Sequence, residues 1–198
     1  MKPTIKNIAQ LHQFIEQFNF ATLVCQNGQS LQVSHVPVLL DRSQGEQGTL
    51  VWHLAKSNPH TQELEGGAEA LFIFHGPHAY ISPAWYKVSP SVPTWNYAVV
   101  RARGKPRAVS RERLSQDLDL LARQHEADTD YATPEPFKTK LLNHVTGFHM
   151  EITRLESTFK LGLNRSKEDQ EGVLKGLRTQ NSNEGLALAD FIETFQSE

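Results

Sequence analysis

Between Phe20 and Ala55 the chain is a succession of short β-rich runs separated by turn residues, and this punctuation limits its fold more than any other feature. The runs "FATLVC" and "QSLQVSHVPVLLD" flank Asn27-Gly28, a dipeptide suited to the positive-φ positions of a tight hairpin. A second turn cluster, "DRSQGEQG", leads into "TLVWHLA", so three antiparallel strands are predicted by residue 55. Ahead of them Ile8, Leu11, Ile15 and Phe18 recur at spacings of 3 and 4, an amphipathic helix with Asn7 placed to cap it.

Further along, "KSNPHTQELEGG" predicts a helix of about two turns, capped by Ser57 or Asn58, opened by Pro59 and stopped by Gly66-Gly67. "AEALFIFHGPHAYIS" reads as a strand pair pinched at Gly76-Pro77, and the proline-rich "PAWYKVSPSVPT" as an extended surface loop. A long strand follows through Val109, then a helix capped by Ser110 with Leu114, Leu118 and Leu121 on one face. Residues 134–143 form a short helix, and "VTGFHMEITRLESTFKL" alternates as a half-buried strand. Ser166 and Asp169 are spaced as the capping box of another helix. The whole predicts an α+β protein: a six- to seven-stranded antiparallel barrel with peripheral helices, spanning residues 1–180, then a polar linker and last helix over 181–198.

The 198 residues suffice for one well-buried core. With 38% apolar and 21% charged residues the composition is that of a globular protein and excludes disorder for most of the chain. A net charge of -2 argues against a broad surface for duplex DNA. The single cysteine, Cys25, rules out an internal disulfide. No apolar leader segment or run of 18 apolar residues is found, and a cytoplasmic location is expected.

Among nine histidines the closest pair is His75 and His78 in "HGPH", which lacks a carboxylate or cysteine at ligand spacing, so hydrogen-bonded imidazoles are preferred to a metal site. No nucleophile elbow or glycine-rich dinucleotide fingerprint occurs. What remains is polar residues at strand ends. Pro37 in "SHVPVLL" marks an edge strand or bulge whose backbone can face a ligand. In "HLAKSNP" a strand carrying His53 runs into a helix start, where free N–H groups beside Lys56 would make a phosphate cradle; an ordinary capped helix is the alternative. "SVPTWNYAVVRARGK" has two readings. Trp95 and Tyr97 are core or interface aromatics with a solvated Val99, Arg101, Arg103, Lys105 face, or Trp95, Asn96 and Tyr97 line a groove for a flat ligand whose phosphate a cation balances.

Taken together, "FATLV", "HVPVLLD", "GTLVWHLAKSNP", "AEALFIFHGPHAYISPAWY", "VPTWNYAVV", "GKPR", "GFHMEITRLESTFKL" and "NRSKEDQEGVLKGLR" resemble, in this order, the PaiB-like family of FMN-binding negative transcriptional regulators. The resemblance runs from about residue 14 to 180. It implies an FMN-binding split β-barrel of Greek-key type, related to pyridoxamine phosphate oxidase, forming homodimers with FMN between subunits. It further implies that Ser34, His35, Val36 and Pro37 lie along the isoalloxazine edge, flanked by His53. Lys56, Ser57 and Asn58 would meet the phosphate, Thr94, Trp95, Asn96 and Tyr97 would approach from the dimer partner, and Lys160, Asn164 and Arg165 would lie near the cofactor. Two departures stand out. The family's "KLSQNR" is "KLGLNR" here, with Gly162 and Leu163, and its Tyr-x-Pro-x-x-Phe opening is missing from residues 1–6.

Three functions follow as expectations. The first is a regulatory FMN-binding homodimer with no helix-turn-helix or basic recognition helix. The second is a flavin-dependent oxidoreductase of a small molecule, in which the protein orients the flavin. The third is a haem-binding protein using the same groove, with His35, His53 or His78 as axial ligand.

Overall fold

The computed structural model describes residues 7–27, 30–126 and 133–197. Their elements are α1 (Ile8–Gln17), β1 (Phe20–Asn27), β2 (Ser30–Pro37), β3 (Leu39–Asp41), β4 (Thr49–Ala55), α2 (Pro59–Glu65), β5 (Ala70–Ile81), a 3₁₀ turn (Pro83–Trp85), β6 (Thr94–Gly104), β7 (Arg107–Ala108), α3 (Arg111–His125), α4 (Glu135–Leu141), β8 (Val145–Glu151), β9 (Arg154–Lys160), α5 (Lys167–Gln180) and α6 (Asn183–Ser197). The strands form a five-stranded sheet, β2-β1-β5-β6-β9, and a four-stranded sheet, β3-β4-β8-β7.

Nine strands among the described residues replace the six or seven expected, for identifiable reasons. Three runs read as single strands each break in two. The first breaks at Val38, whose N–H donates to Asn19 O (2.9 Å), the second at Lys105-Pro106, and the third at Ile152-Thr153. Each break moves the chain from one sheet to the other, which a hydrophobic pattern does not register. Conversely, the pair expected around Gly76-Pro77 is one strand of twelve residues. Along β5 burial alternates on even positions up to Gly76 and on odd positions from Ala79. One extra residue at Pro77-His78 flips the phase as a bulge does, and a bulge also tolerates a proline without its N–H.

The chain divides into two compact units. One comprises Ile8–Phe74 and Arg101–Glu156. Within it β1 pairs with β2 from Phe20↔Pro37 to Asn27↔Ser30; the turn residues, Gly28 among them, lie outside the described residues. Ala21, Leu23, Cys25, Val36, Ala70 and Phe72 face inward, and Trp52 of β4 meets them. Its ring packs edge-on against Phe72 (4.7 Å between centroids) and stacks on Phe148 of β8 (5.5 Å, 18°). Phe148, Met150 and Ile152 are buried as their alternation predicts. On α3 only Leu114 is fully buried, joined by Asp117, which ties the helix to β8 by accepting from His149 Nε2 (2.7 Å) and Arg113 Nε (2.9 Å).

The other unit contains His75–Val100 and residues 157–197. Here α5 packs on α6, across which Arg178 bridges Asp190 and Glu193. The linker expected after residue 180 is only Asn181, in the left-handed region at φ 54°, and Ser182. Trp85 packs its ring against α5: a Cβ on Gly176 would fall 2.2–2.5 Å from its ring atoms, so this contact requires glycine. Ser166 caps α5 by accepting from Asp169 N (3.2 Å), but Asp169 does not return the bond as a capping box would. Its buried Oδ1 accepts from the backbone N–H groups of Lys87 (2.7 Å) and Val88 (3.2 Å), pinning the loop after Trp85.

Candidate functional site

Strand alternation decides what the first group of expected ligand residues can do. β2 is an edge strand, as Pro37 at its end predicts, so its outer backbone groups lie outside the sheet ladder. The stretch from Ser34 to Pro37 does not present one surface. Val36 points into the core and Ser34 points the same way toward α2, while His35 and Pro37 point outward. His35 is exposed and stacks loosely on Phe20 (6.4 Å, 24°).

Where β4 runs into α2, the sequence wires itself tightly. Asn58 N donates to Ala55 O (2.9 Å), Thr61 Oγ1 donates to the same carbonyl (2.9 Å), and Thr61 N donates to Asn58 O (2.9 Å). Asn58 Oδ1 caps the helix by accepting from His60 N (3.0 Å), and its Nδ2 donates to Ser34 Oγ (3.2 Å). His60 Nδ1 lies 3.0 Å from the same hydroxyl. The free N–H groups expected as a phosphate cradle are therefore not free: Pro59 has none, and those of Asn58, His60 and Thr61 are spent. Asn58 is likewise committed internally. Lys56 and Ser57 remain exposed, and Lys56 forms no ion pair among the described residues. His53 is half-buried, and loss of hydration pushes its pKa below the ordinary histidine value, favouring the neutral ring.

The second unit carries an open groove of about 310 Å³ lined by His75, Gly76, His78, Trp95, Tyr97, Ala98 and Val99. The phase flip in β5 puts His75, His78 and Tyr80 on one exposed face although the histidines are three residues apart. Trp95, 54% exposed, stands between His78 (6.1 Å between centroids) and Tyr80 (6.3 Å, edge-on). Asn96 does not share this groove. It points to the opposite face of β6, is buried, and lines a water-sized cavity with Tyr86, Gly162, Arg165 and Asp169. The reading that grouped Trp95, Asn96 and Tyr97 on one wall is corrected by the period of 2 along a strand.

Lys160 is half-buried and donates to Thr94 Oγ1. Asn164 is exposed. Arg165 lies over the Tyr86 ring (4.5 Å) and 3.8 Å from the Asp169 carboxylate, which gives its charge a structural partner. Gly162 stands at φ +76°, a conformation in which any side chain is strained, so the departure from serine at this position answers to the turn after β9. The residues missed from sequence are His60, Tyr80 and Asp169. His60 sits two positions past Asn58 in the same stretch, but a buried histidine on a helix leaves no periodic signal.

These residues fit a flavin chemically: exposed flat rings, a bare lysine and an organised hydroxyl are what an isoalloxazine and its phosphate require. Comparison with known proteins agrees. Residues 3–154 match the family described as "Putative FMN-binding domain". The chain is 25% identical over 195 residues to the protease synthase and sporulation protein PAI 2 of Bacillus subtilis, covering 96% of this chain and 93% of that one. In fold it is similar to the FAD and haem binding protein from Mycobacterium smegmatis (TM-score 0.63, 15% identity, 84% and 78% of the two chains). It is also similar to the flavocytochrome Anf3 from Azotobacter vinelandii (TM-score 0.62, 11% identity, 85% and 74%). The family match covers most of the chain, and with that relative it settles the kinship: the chain belongs to the PaiB-like family of FMN-binding proteins, and its cofactor is FMN.

Proposed function

We propose that the protein is a homodimeric FMN-binding split-barrel protein with a negative regulatory role in transcription, exerted without a helix-turn-helix. The observation that carries the dimer is an apolar sheet face turned to solvent. Phe20 (66% exposed), Leu31 (64%) and Val33 (53%) share it with Val24, Leu71 and Ile73, in register across β2, β1 and β5. A face of this kind calls for a second copy. FMN, when bound, supplies the redox chemistry of its ring. The chain's own residues do the holding: Lys56 and Ser57 the phosphate, Ser34 and the edge backbone of β2 the ring edge, and Trp95 of a second copy the ring face. Lys56→Ala is expected to weaken FMN binding about tenfold, read from flavin fluorescence, and an unchanged affinity would show the phosphate to be elsewhere.

The net charge of -2 makes repression by broad phosphate neutralisation a poor fit, so the regulatory role rests on the family resemblance. Its test is a transcript profile of cells lacking the chain. Specific transcripts should rise, and an unchanged profile would end the regulatory reading.

One observation favours a second reading. His75 and His78 beside Trp95 and Tyr97 form a groove with two imidazoles and flat walls, the materials of a haem site. On that reading haem titration gives a Soret band that His78→Ala abolishes, and the absence of any band removes it.

A further inference from the structure

The most unusual polar arrangement in the first unit is a buried imidazole bonded on one side only. His60 is 1% exposed, its Nδ1 lies 3.0 Å from Ser34 Oγ, and its Nε2 is buried with no hydrogen-bond partner among the described residues. Three residues along α2, Glu63 also has a buried oxygen, Oε2, without a hydrogen-bond partner among the described residues, and its charge acts on His60. Residues three apart on a helix share a face. Burial drives the His60 pKa down, and so the ring is neutral with one proton to place.

The neighbours decide where that proton goes. Asn58 Oδ1 is fixed by His60 N, so the end of the amide facing Ser34 is the donor, Nδ2. Ser34 Oγ thus accepts from Asn58 and keeps its own proton for another acceptor. The tautomer that completes this chain carries hydrogen on Nε2 and leaves Nδ1, 3.0 Å from Ser34 Oγ, to accept from Ser34.

We propose that His60 and Asn58 hold the Ser34 hydroxyl with its proton turned inward, so that Ser34 offers the flavin a hydrogen-bond acceptor and recognises a ring-edge N–H rather than a ring carbonyl. His60 is then a positioning residue that acts on the cofactor through Ser34. This rests on the reading that Ser34 lies along the ring edge. On an oxidised isoalloxazine the edge donor is the imide N–H between the two carbonyls, so the arrangement selects orientation as well as presence. An ordinary serine, free to rotate, would accept either edge.

Two measurements test it. The nitrogen NMR shifts of His60 in the FMN-loaded wild-type protein should show a neutral ring protonated at Nε2; a proton on Nδ1 would overturn the proposal, since Ser34 would then present its hydrogen outward. The second is a double-mutant cycle on FMN affinity. Ser34→Ala and His60→Leu should each weaken binding about tenfold, the scale of one hydrogen bond. The double variant should be no weaker than Ser34→Ala, and His60→Asn, whose Oδ1 can replace Nδ1, should restore most of the loss. If Ser34→Ala leaves binding unchanged, the placement of Ser34 on the flavin fails and the proposal with it. If Ser34→Ala weakens binding while His60→Leu does not, the placement stands and the positioning role falls.

Discussion

Replacing Phe148 by alanine is expected to remove about 3–5 kcal/mol of stability, the largest effect of any single truncation considered for this chain. The ring has no solvent exposure, stacks on Trp52, and sits opposite it in the β4–β8 register. Trp52 in turn rests edge-on against Phe72 of the other sheet, so the three rings join the two sheets of the first unit. Removing one ring of such a stack leaves a cavity that rigid strands on either side cannot close. Urea denaturation should show the midpoint falling with little change in slope. A loss below about 1 kcal/mol would mean that the aromatic stack is not the core of this unit.

The second large effect is electrostatic. Asp169 is 2% exposed, and its Oδ1 accepts from the backbone N–H groups of Lys87 and Val88 while Arg165 flanks the other oxygen. Asp169→Ala strands two backbone donors and a guanidinium, at an expected cost of about 2–4 kcal/mol. Asp169→Asn keeps an acceptor for both donors and should lose less than half as much. Thermal melts of the two variants read the difference, and equal losses would assign the effect to charge rather than to the two hydrogen bonds. Because the anchored loop carries Trp85 onto α5, the alanine variant should also expose Trp85, visible as a red shift in tryptophan emission.

How much of this was legible in the sequence depends on range. Local chemistry was: Ser110 and Ser166 cap their helices, Asn58 precedes the proline that opens α2, and the first hairpin pairs over all eight positions. Sheet membership was not, because a strand that breaks at Val38 or Ile152-Thr153 and changes sheet keeps its apolar alternation through the break. Gly76-Pro77 misled for a related reason: turn chemistry and bulge chemistry use the same two residues, and only the neighbouring strands decide between them.

The candidate site was legible as a set of stretches and not as a set of directions. "HLAKSNP" and "SHVP" do meet, through Asn58 and Ser34: Asn58 is committed to capping α2, and the half-buried Ser34 is held by Asn58 and His60. Lys56 is exposed, while Asn58 and Arg165 are tied to protein partners. Asn96 was placed in the groove by adjacency to Trp95, and the strand period moved it to the other face. His60 was invisible because its significance lies in an unpaired Nε2, a property of packing alone.

The central claim is a dimer that holds FMN, and sedimentation of the purified protein with FMN, followed at the flavin's visible absorption band, tests it most directly. Flavin moving with the mass of two chains, at one FMN per chain, is the expected result. Flavin left behind in solution, or carried by a single chain, would contradict it.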